Sequence, residues 1–309
     1  MEDFSMFLID SPPNDPSGML VKQRLDAMGV RTAHLDTTLY PKKIQLNYDP
    51  QAPEQGRINL NDGNGWILLA DIQGVFRRGP DWIRANENYD FMKADLVYWN
   101  IECALGSIYR LLTHIKWVNP LEEFNHHRHK AFQLNQFSEL GIRIPKTIVS
   151  NSLEDIQDFY HQLDGSIIMK YPNGGEHTVK LTQEDISHAG FAEHLTKVPL
   201  KIQECIEGMD IRAYVIGDDV FALEIHSDKL DFRETPNTFR KAIELPEEIK
   251  KNCLMMTKTL GLVMAGIDLK RKDDSEHVFF EANPSPVFLY DEVATGYPIS
   301  QSIANYLVG

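Results

Sequence analysis

Residues 277–286 read HVFFEANPSP, an apolar run that ends in a carboxylate, Glu281, and a carboxamide, Asn283, just ahead of two prolines. In an extended chain successive side chains alternate between faces, which sends Phe280 and Ala282 to one side and Glu281 and Asn283 to the other. The run AGIDLKRK at 265–272 alternates likewise, with Ile267 and Leu269 inward and Asp268 opposite. A hairpin turning at Asp274 and Ser275 then pairs Asp268 with Glu281, their β-carbons about 5 Å apart. Two carboxylates at that separation repel unless one is protonated or a cation lies between them. Asp, Glu and Asn oxygens on one face form the hard donor set that suits Mg²⁺, which completes its shell with substrate phosphates. The alternative is an ordinary solvated hairpin face, and the hairpin alone leaves the two open.

The rest of the chain narrows the choice. Its 309 residues, 42% hydrophobic and 25% charged, are those of a soluble globular protein of two or three compact units. No apolar run approaches the roughly 18 residues that a membrane span requires. The opening MEDFSMFLIDSPPNDP has no basic segment before its short apolar stretch. It reads as a first strand and not a signal peptide, and a cytoplasmic location is expected. Cys103, Cys205 and Cys253 lie too far apart for a zinc pair or a disulfide framework and are expected to be buried thiols. A formal net charge of −14 argues against broad nucleic-acid binding, which needs a basic surface.

Strand-like runs alternate with helical patterns, so the chain is α/β and α+β. SMFLID, the helical SGMLVKQRLDAMG and VRTAHLD give a strand, helix, strand opening of a parallel sheet, with Ser17 as N-cap and Gly29 as stop. The intervening SPPNDPSG lacks G-x-G-x-x-G, which sets a dinucleotide fold aside. RINLNDGNGWILLA is a hairpin about Asp62–Gly65, and IQGVFRR a further strand. A helical pattern from Asn88 to about Ile115 is followed by a second helix from the Pro120 region to Gly141. KTIVS, SIIMK and HTVKL, with a helix from SLEDIQDFYHQL, make a small α+β unit. DIRAYVIGDDVFALEIHS is a hairpin turning at Gly217 and Asp218. A helix over Pro246–Leu260, the hairpin Met264–Asn283 and a helix over Asp291–Leu307 complete the chain.

Single residues carry less. Lys170 ends SIIMK, where a surface lysine and a phosphate-facing one are placed alike, and Gly174 and Gly175 of PNGGE either bring backbone N–H groups to an anion or simply turn the chain. The HHRH run at 126–129 reads as a polar helix face, because no further zinc ligands assemble nearby.

Order says more than any one of them. A helix lysine (Lys130), a strand lysine with a short Gly turn, the strand IQECIEGMDIR and the hairpin GIDL…FFEANPSP together resemble the ATP-grasp superfamily over roughly residues 116–309. QECI…DIRAYVIGDDVFALEI is similar to the branch that includes the ribosomal-protein S6 glutamate ligases. WVNPLEEFNHHRHKAFQLNQFSELGIRIPKT, DFR at Asp231–Arg233, FRRG at Arg77 and Arg78, and FEANPSPVFLYDEVATGYPISQSIANYL resemble the microviridin-type ligases, the graspetide peptide macrocyclases.

The resemblance implies an ATP-grasp fold. An N-terminal parallel-sheet domain (1–115), a small central α+β domain (116–200) and a C-terminal antiparallel-sheet domain (201–309) would make it up. It also implies roles. Lys130 and Lys170 would grip the phosphates of ATP. Glu204 and Ile206 would face adenine through backbone groups, with Gln203 beside them, and Asp210 would take the ribose. Asp268, Glu281 and Asn283 would hold two Mg²⁺ ions. Arg240 would meet the transferring phosphoryl group, Arg212 the substrate carboxylate or acyl phosphate, and Asp231 and Arg233 the core of a precursor peptide. The same resemblance implies leader-peptide recognition and a homodimer. A carboxylate activated as its acyl phosphate needs no enzyme nucleophile, which agrees with the lack of any Ser/His/Asp or Cys/His arrangement. A ligase adding a free amino acid shares every nucleotide residue, and a nucleotide-binding protein without turnover is the reading from outside enzymes.

Overall fold

The computed structural model describes residues 5–78, 91–112, 114–173, 178–227, 238–273 and 276–309. They form two compact units. The first comprises Met1–Leu121, Val287–Glu292 and Pro298–Gly309, and the second Glu122–Pro286 and Val293–Tyr297.

The first unit contains β1 (Met6–Asp10), α1 (Pro16–Ala27), β2 (Arg31–Leu35), β3 (Gln45–Asp49), β4 (Ala52–Asn59), β5 (Trp66–Leu68), β6 (Ile72–Arg77), α2 (Phe91–Leu111) and β7 (Lys116–Val118). Strands β2-β1-β6-β7 make a parallel sheet, and β3-β4-β5 a small antiparallel one. Every residue of β1 is buried, as a parallel strand covered on both faces requires. Leu8 and Val75 pack in one core with Leu105 and Ile108 of α2. Pro16 opens α1 with its fixed φ, and the helix is capped by Asp15, whose carboxylate accepts the Gly18 N–H at 3.0 Å. Ser17, expected as the cap, is instead a buried residue of the first turn whose hydroxyl accepts the Phe288 N–H at 3.2 Å. Gly29 does end the helix at φ +78°.

The second unit follows as α3 (Lys130–Glu139), β8 (Thr147–Ser150), α4 (Leu153–Gln162), β9 (Ile167–Lys170), β10 (Val179–Lys180), α5 (Gln183–Ser187), α6 (Ala189–Leu195), β11 (Leu200–Glu204), β12 (Met209–Ile216), β13 (Asp219–His226), β14 (Phe239–Ile243), α7 (Glu247–Thr259), β15 (Met264–Arg271) and β16 (His277–Asn283). The chain closes with α8 (Leu289–Thr295) and α9 (Ile299–Val308). The single final helix expected from the pattern is two, split where Gly296 adopts φ +73° and Pro298 precedes α9. The second unit holds two antiparallel sheets, β10-β9-β11-β8 and β14-β13-β12-β15-β16. Ile156, Phe159, Ile186 and Leu195 from the helices cover Leu200 and Ile202 of the first sheet. Phe137 of α3 and Cys253 and Met256 of α7 cover Ile211, Ile267 and Leu269 of the second.

Other expectations need correction. Only Cys253 is a buried thiol, for Cys103 is exposed and Cys205 half-buried. The β15–β16 hairpin pairs Gly266 with Asn283, Ile267 with Ala282 and Asp268 with Glu281, but then shifts register so that Leu269 faces Phe279. A bulge at Phe280 therefore interrupts the alternation. Phe279 enters the core, and Phe280 leaves it. No described helix is long and apolar enough to cross a membrane.

Candidate active site

The five-stranded sheet of the second unit presents one face in rows. Arg212 on β12 pairs with Asp268 on β15, which pairs with Glu281 on β16. Two residues along, Arg240 of β14, Ile225 of β13, Asp210 of β12 and Lys270 of β15 form the next row. The period of two thus gathers Asp210, Arg212, Arg240, Asp268, Glu281 and Asn283 on the face turned away from the core cluster.

Helix α3 is fixed on the free edge of β16 by Gln133. Its side-chain amide donates to the Ala282 carbonyl at 3.1 Å and its oxygen accepts the Ala282 N–H at 3.2 Å, so it substitutes for a neighbouring strand. Lys130, one turn earlier, is thereby placed against Glu281, with Nζ 2.5 Å from a carboxylate oxygen. Burial pushes the Glu281 carboxyl up, but the Lys130 charge and hydrogen bond, with Lys201 and Lys170 behind it, hold it at about 2. Asp268 goes the other way. Burial raises it, Glu281 across the strand adds to the rise, and the Arg212 guanidinium opposes. Arg212 grips both oxygens of Asp268, with Nη2 to Oδ2 at 3.2 Å. Asn283 lies on the same face, its Oδ1 accepting the Ser285 N–H at 2.9 Å.

The four-stranded sheet contributes the opposing cations. Lys170 ends β9 with its ammonium 5.7 Å from the centroid of the Phe280 ring, which the bulge has turned out of the core. Its cross-strand partner on β11 is Lys201. Lys201 is only 4% exposed. Burial pulls its ammonium down to about 8; Lys170 and Lys130 add to the fall, and Glu281 resists it. Gln203, two residues on, is buried and donates to the Thr147 hydroxyl at 2.9 Å. The Glu204 carboxylate accepts the Lys146 N–H at 3.0 Å, and Ile206 is buried. Asp210 pairs with Lys270 at 3.0 Å, and Arg240 donates to the Thr238 carbonyl at 3.1 Å. Asp231, Arg233, Gly174 and Gly175 lie outside the described residues.

The family model of the RimK-like ATP-grasp domain matches residues 127–307, a span that includes Lys130, Lys170, Asp268 and Glu281. The chain belongs to this family. Among sequence relatives, a "Probable alpha-L-glutamate ligase" of Histophilus somni (strain 2336) is 32% identical over 182 residues, covering 56% of this chain and 60% of that protein. The chain thus matches less than two thirds of that relative's length. Among solved structures, macrocyclase MdnC bound with precursor peptide MdnA, from Microcystis aeruginosa MRC, superposes with a TM-score of 0.87 at 24% identity over 99% of both chains. A Chryseobacterium gregarium RiPP-associated ATP-grasp ligase, in complex with ADP and a leader and core peptide, does so at 0.85 and 22% identity, over 98% of this chain and 96% of that one. These likenesses establish the ATP-grasp fold along the whole chain.

The donor set of this ATP-grasp chain suits the hard cation that sequence reasoning assigned to it. Asp268 and Glu281 offer two carboxylates from paired positions, and Asn283 a carboxamide oxygen that keeps one lone pair free of its turn. Among the described residues no group of three His, Cys, Asp or Glu side chains forms a metal centre. Lys130 and Arg212 meanwhile balance the two negative charges. Lys201 was missed. A lysine between Leu200 and Ile202 reads as a solvent-facing strand position, and the only signal available was that it shares the face of Gln203.

Proposed function

We propose that this chain is an ATP-dependent ligase that activates side-chain carboxylates of a ribosomally made precursor peptide and closes them on Ser or Thr hydroxyls or Lys amines of the same peptide, giving ester or amide macrocycles. The observation that carries the nucleotide chemistry is the pairing of Asp268 with Glu281 beneath the Lys130, Lys170 and Lys201 ammonium groups. Such an array answers the charge of a polyphosphate and of a phosphoryl group in transit. Asp268, Glu281 and Asn283 are the residues that would hold Mg²⁺, which would supply charge neutralisation to the phosphates. Lys130, paired with Glu281, is assigned to a phosphate. Glu204, Gln203 and Ile206 are assigned to the base and Asp210 to the ribose. Arg212 and Arg240 orient the carboxylate and phosphoryl group, and Asp231 and Arg233 the core peptide. The γ-phosphoryl moves to a peptide carboxylate as its bond to the bridging oxygen of ADP breaks, giving an acyl phosphate and ADP; the hydroxyl or amine then adds to that carbonyl and loses its proton to solvent, and phosphate leaves with the C–O bond to it broken. A homodimer acting in the cytoplasm completes the reading.

Peptide closure is favoured over addition of glutamate because a macrocyclase bound with its precursor peptide superposes along 99% of both chains, whereas the glutamate ligase matches, though they reach up to 92% of this chain, take in only 58–67% of those proteins' own length. Addition of free glutamate is the second reading, supported by that match. Intact mass of small acidic, Thr- or Lys-containing precursor peptides after incubation with the protein, ATP and Mg²⁺ separates them. Loss of one water per ring, abolished in Glu281→Gln, is the expected result. A gain of one amino-acid residue, seen only with free amino acid present, would move the chain to the second reading. No mass change and no ADP would overturn both.

A further inference from the structure

Lys201 stands in a position that a structural lysine has no reason to take. It lies on β11 between Leu200 and Ile202, both wholly buried, and is itself 4% exposed. Its side chain makes no hydrogen bond or ion pair among the described residues. Its cross-strand partner is a second lysine, Lys170. A lysine that buries its stem ordinarily keeps its ammonium in water, and one that buries the ammonium ordinarily pairs it. Lys201 keeps almost none of its surface in water and makes no such pair among the described residues. Lys170 and Lys130 add positive charge around it, and Glu281, the anion that acts on it among the described residues, is already taken by Lys130. Like charges on directly paired strand positions repel. Three ammonium groups, Lys130, Lys170 and Lys201, thus gather about the Glu281 carboxylate, an arrangement that a further anion would relieve.

We propose that Lys201 is a third phosphate-gripping cation of the nucleotide site, donating directly to an oxygen of the polyphosphate beside Lys170. The inference rests on the nucleotide-dependent reading above and adds a ligand to it. Lys130 reaches the site from a helix and must release Glu281 to bind phosphate, while Lys170 sits at the end of its strand. Lys201 comes from mid-strand, held by β8 on one side and β9 on the other, so it is already in place before the nucleotide arrives. It therefore gives up little freedom on binding.

The test measures binding of Mg-ATP and of adenosine to the full chain and to Lys201→Met, alongside thermal unfolding without ligand. The expected result is a roughly ten- to hundredfold loss of Mg-ATP affinity, the size of one charge-assisted hydrogen bond, with adenosine affinity unchanged. The ligand-free variant should also unfold at a higher temperature, because an unpaired buried charge has gone. Unchanged Mg-ATP affinity would overturn this inference and leave the ligase reading standing. Equal losses for Mg-ATP and adenosine would overturn it too, as damage to the pocket. A wild-type chain that binds no ATP would overturn both. Should the variant not fold, a wild-type structure with a non-hydrolysable ATP analogue decides: Nζ of Lys201 within about 3 Å of a phosphate oxygen supports the inference, and an intervening side chain or a larger gap overturns it.

Discussion

Glu281 is held by Lys130 in the structure, and a divalent cation would need the same oxygens. The ion pair contributes to the stability of the folded chain. The pair is largely shielded, with side-chain exposures of 19% and 23%, so Glu281→Gln should lower that stability by about 1.5–3 kcal/mol near neutral pH. The sign with pH follows from linkage. The folded carboxyl titrates at about 2, below its ordinary 4.5, so the stabilisation is full above about 4.5 and is lost as pH falls toward 2. Urea denaturation in EDTA, from pH 7 down to about pH 2, should show the gap between wild type and Glu281→Gln narrowing below about pH 4.5. A gap that stayed constant would mean that Lys130 does not hold the carboxylate ionised. Asp268 behaves differently, since burial and Glu281 raise its pKa against the pull of Arg212. Two carboxylates one strand apart are thus kept at different readiness to ionise, and a cation arriving between them would draw both down.

The β15–β16 hairpin shows what was legible at the level of the element and what was not. Alternation was enough to pair Asp268 with Glu281, because Ile267 and Ala282 must both face the core and so fix the register there, although the pairs on the turn side of Asp268 are shifted by one residue. The bulge was invisible. Phe279 and Phe280 are both apolar, and a hydrophobic pattern cannot say which of two adjacent phenylalanines the core takes. The choice falls to packing, which admits Phe279 beside Leu269 and leaves Phe280 beneath Lys170. The cap of α1 was misread for a similar reason, since Asp15 and Ser17 both suit an N-cap and only the fold spends Ser17 on Phe288. Lys130 and Lys170 were singled out by the order of elements and not by their own surroundings, whereas Lys201 had no such marker. A second feature of the hairpin is the lack of a side chain at Gly266. A Cβ there would lie 2.7 Å from Pro286 Cβ and 3.3 Å from an Arg212 guanidinium nitrogen. Gly266→Ala should therefore displace Pro286 and the guanidinium that holds Asp268, at a cost of about 1–3 kcal/mol. A lowered urea midpoint together with weakened Mg-ATP binding is the expected outcome; a midpoint equal to wild type would show that the proline moves aside freely.

At the scale of the whole molecule, charge sets two opposed conditions. The chain carries −14, yet the faces that meet around Glu281 concentrate Lys130, Lys170, Lys201 and Arg212. At a distance an acidic peptide meets the net charge, and near the site it meets the cations. Salt acts mainly on the first, because the Debye length shrinks from about 30 Å at 0.01 M to about 10 Å at 0.1 M while buried charges are screened far less. Association of an acidic precursor peptide should accordingly quicken as salt rises over that range, and a basic peptide of equal length should slow. Stopped-flow rates for the two peptides at several salt concentrations make the comparison. The usual pattern for an oppositely charged enzyme and substrate, rates for the acidic peptide falling with salt, would mean that the cations of the site govern encounter from long range. The local array would then have to project well past the acidic surface, and the substrate would be selected at approach and not only once it reaches Arg212 and Asp268.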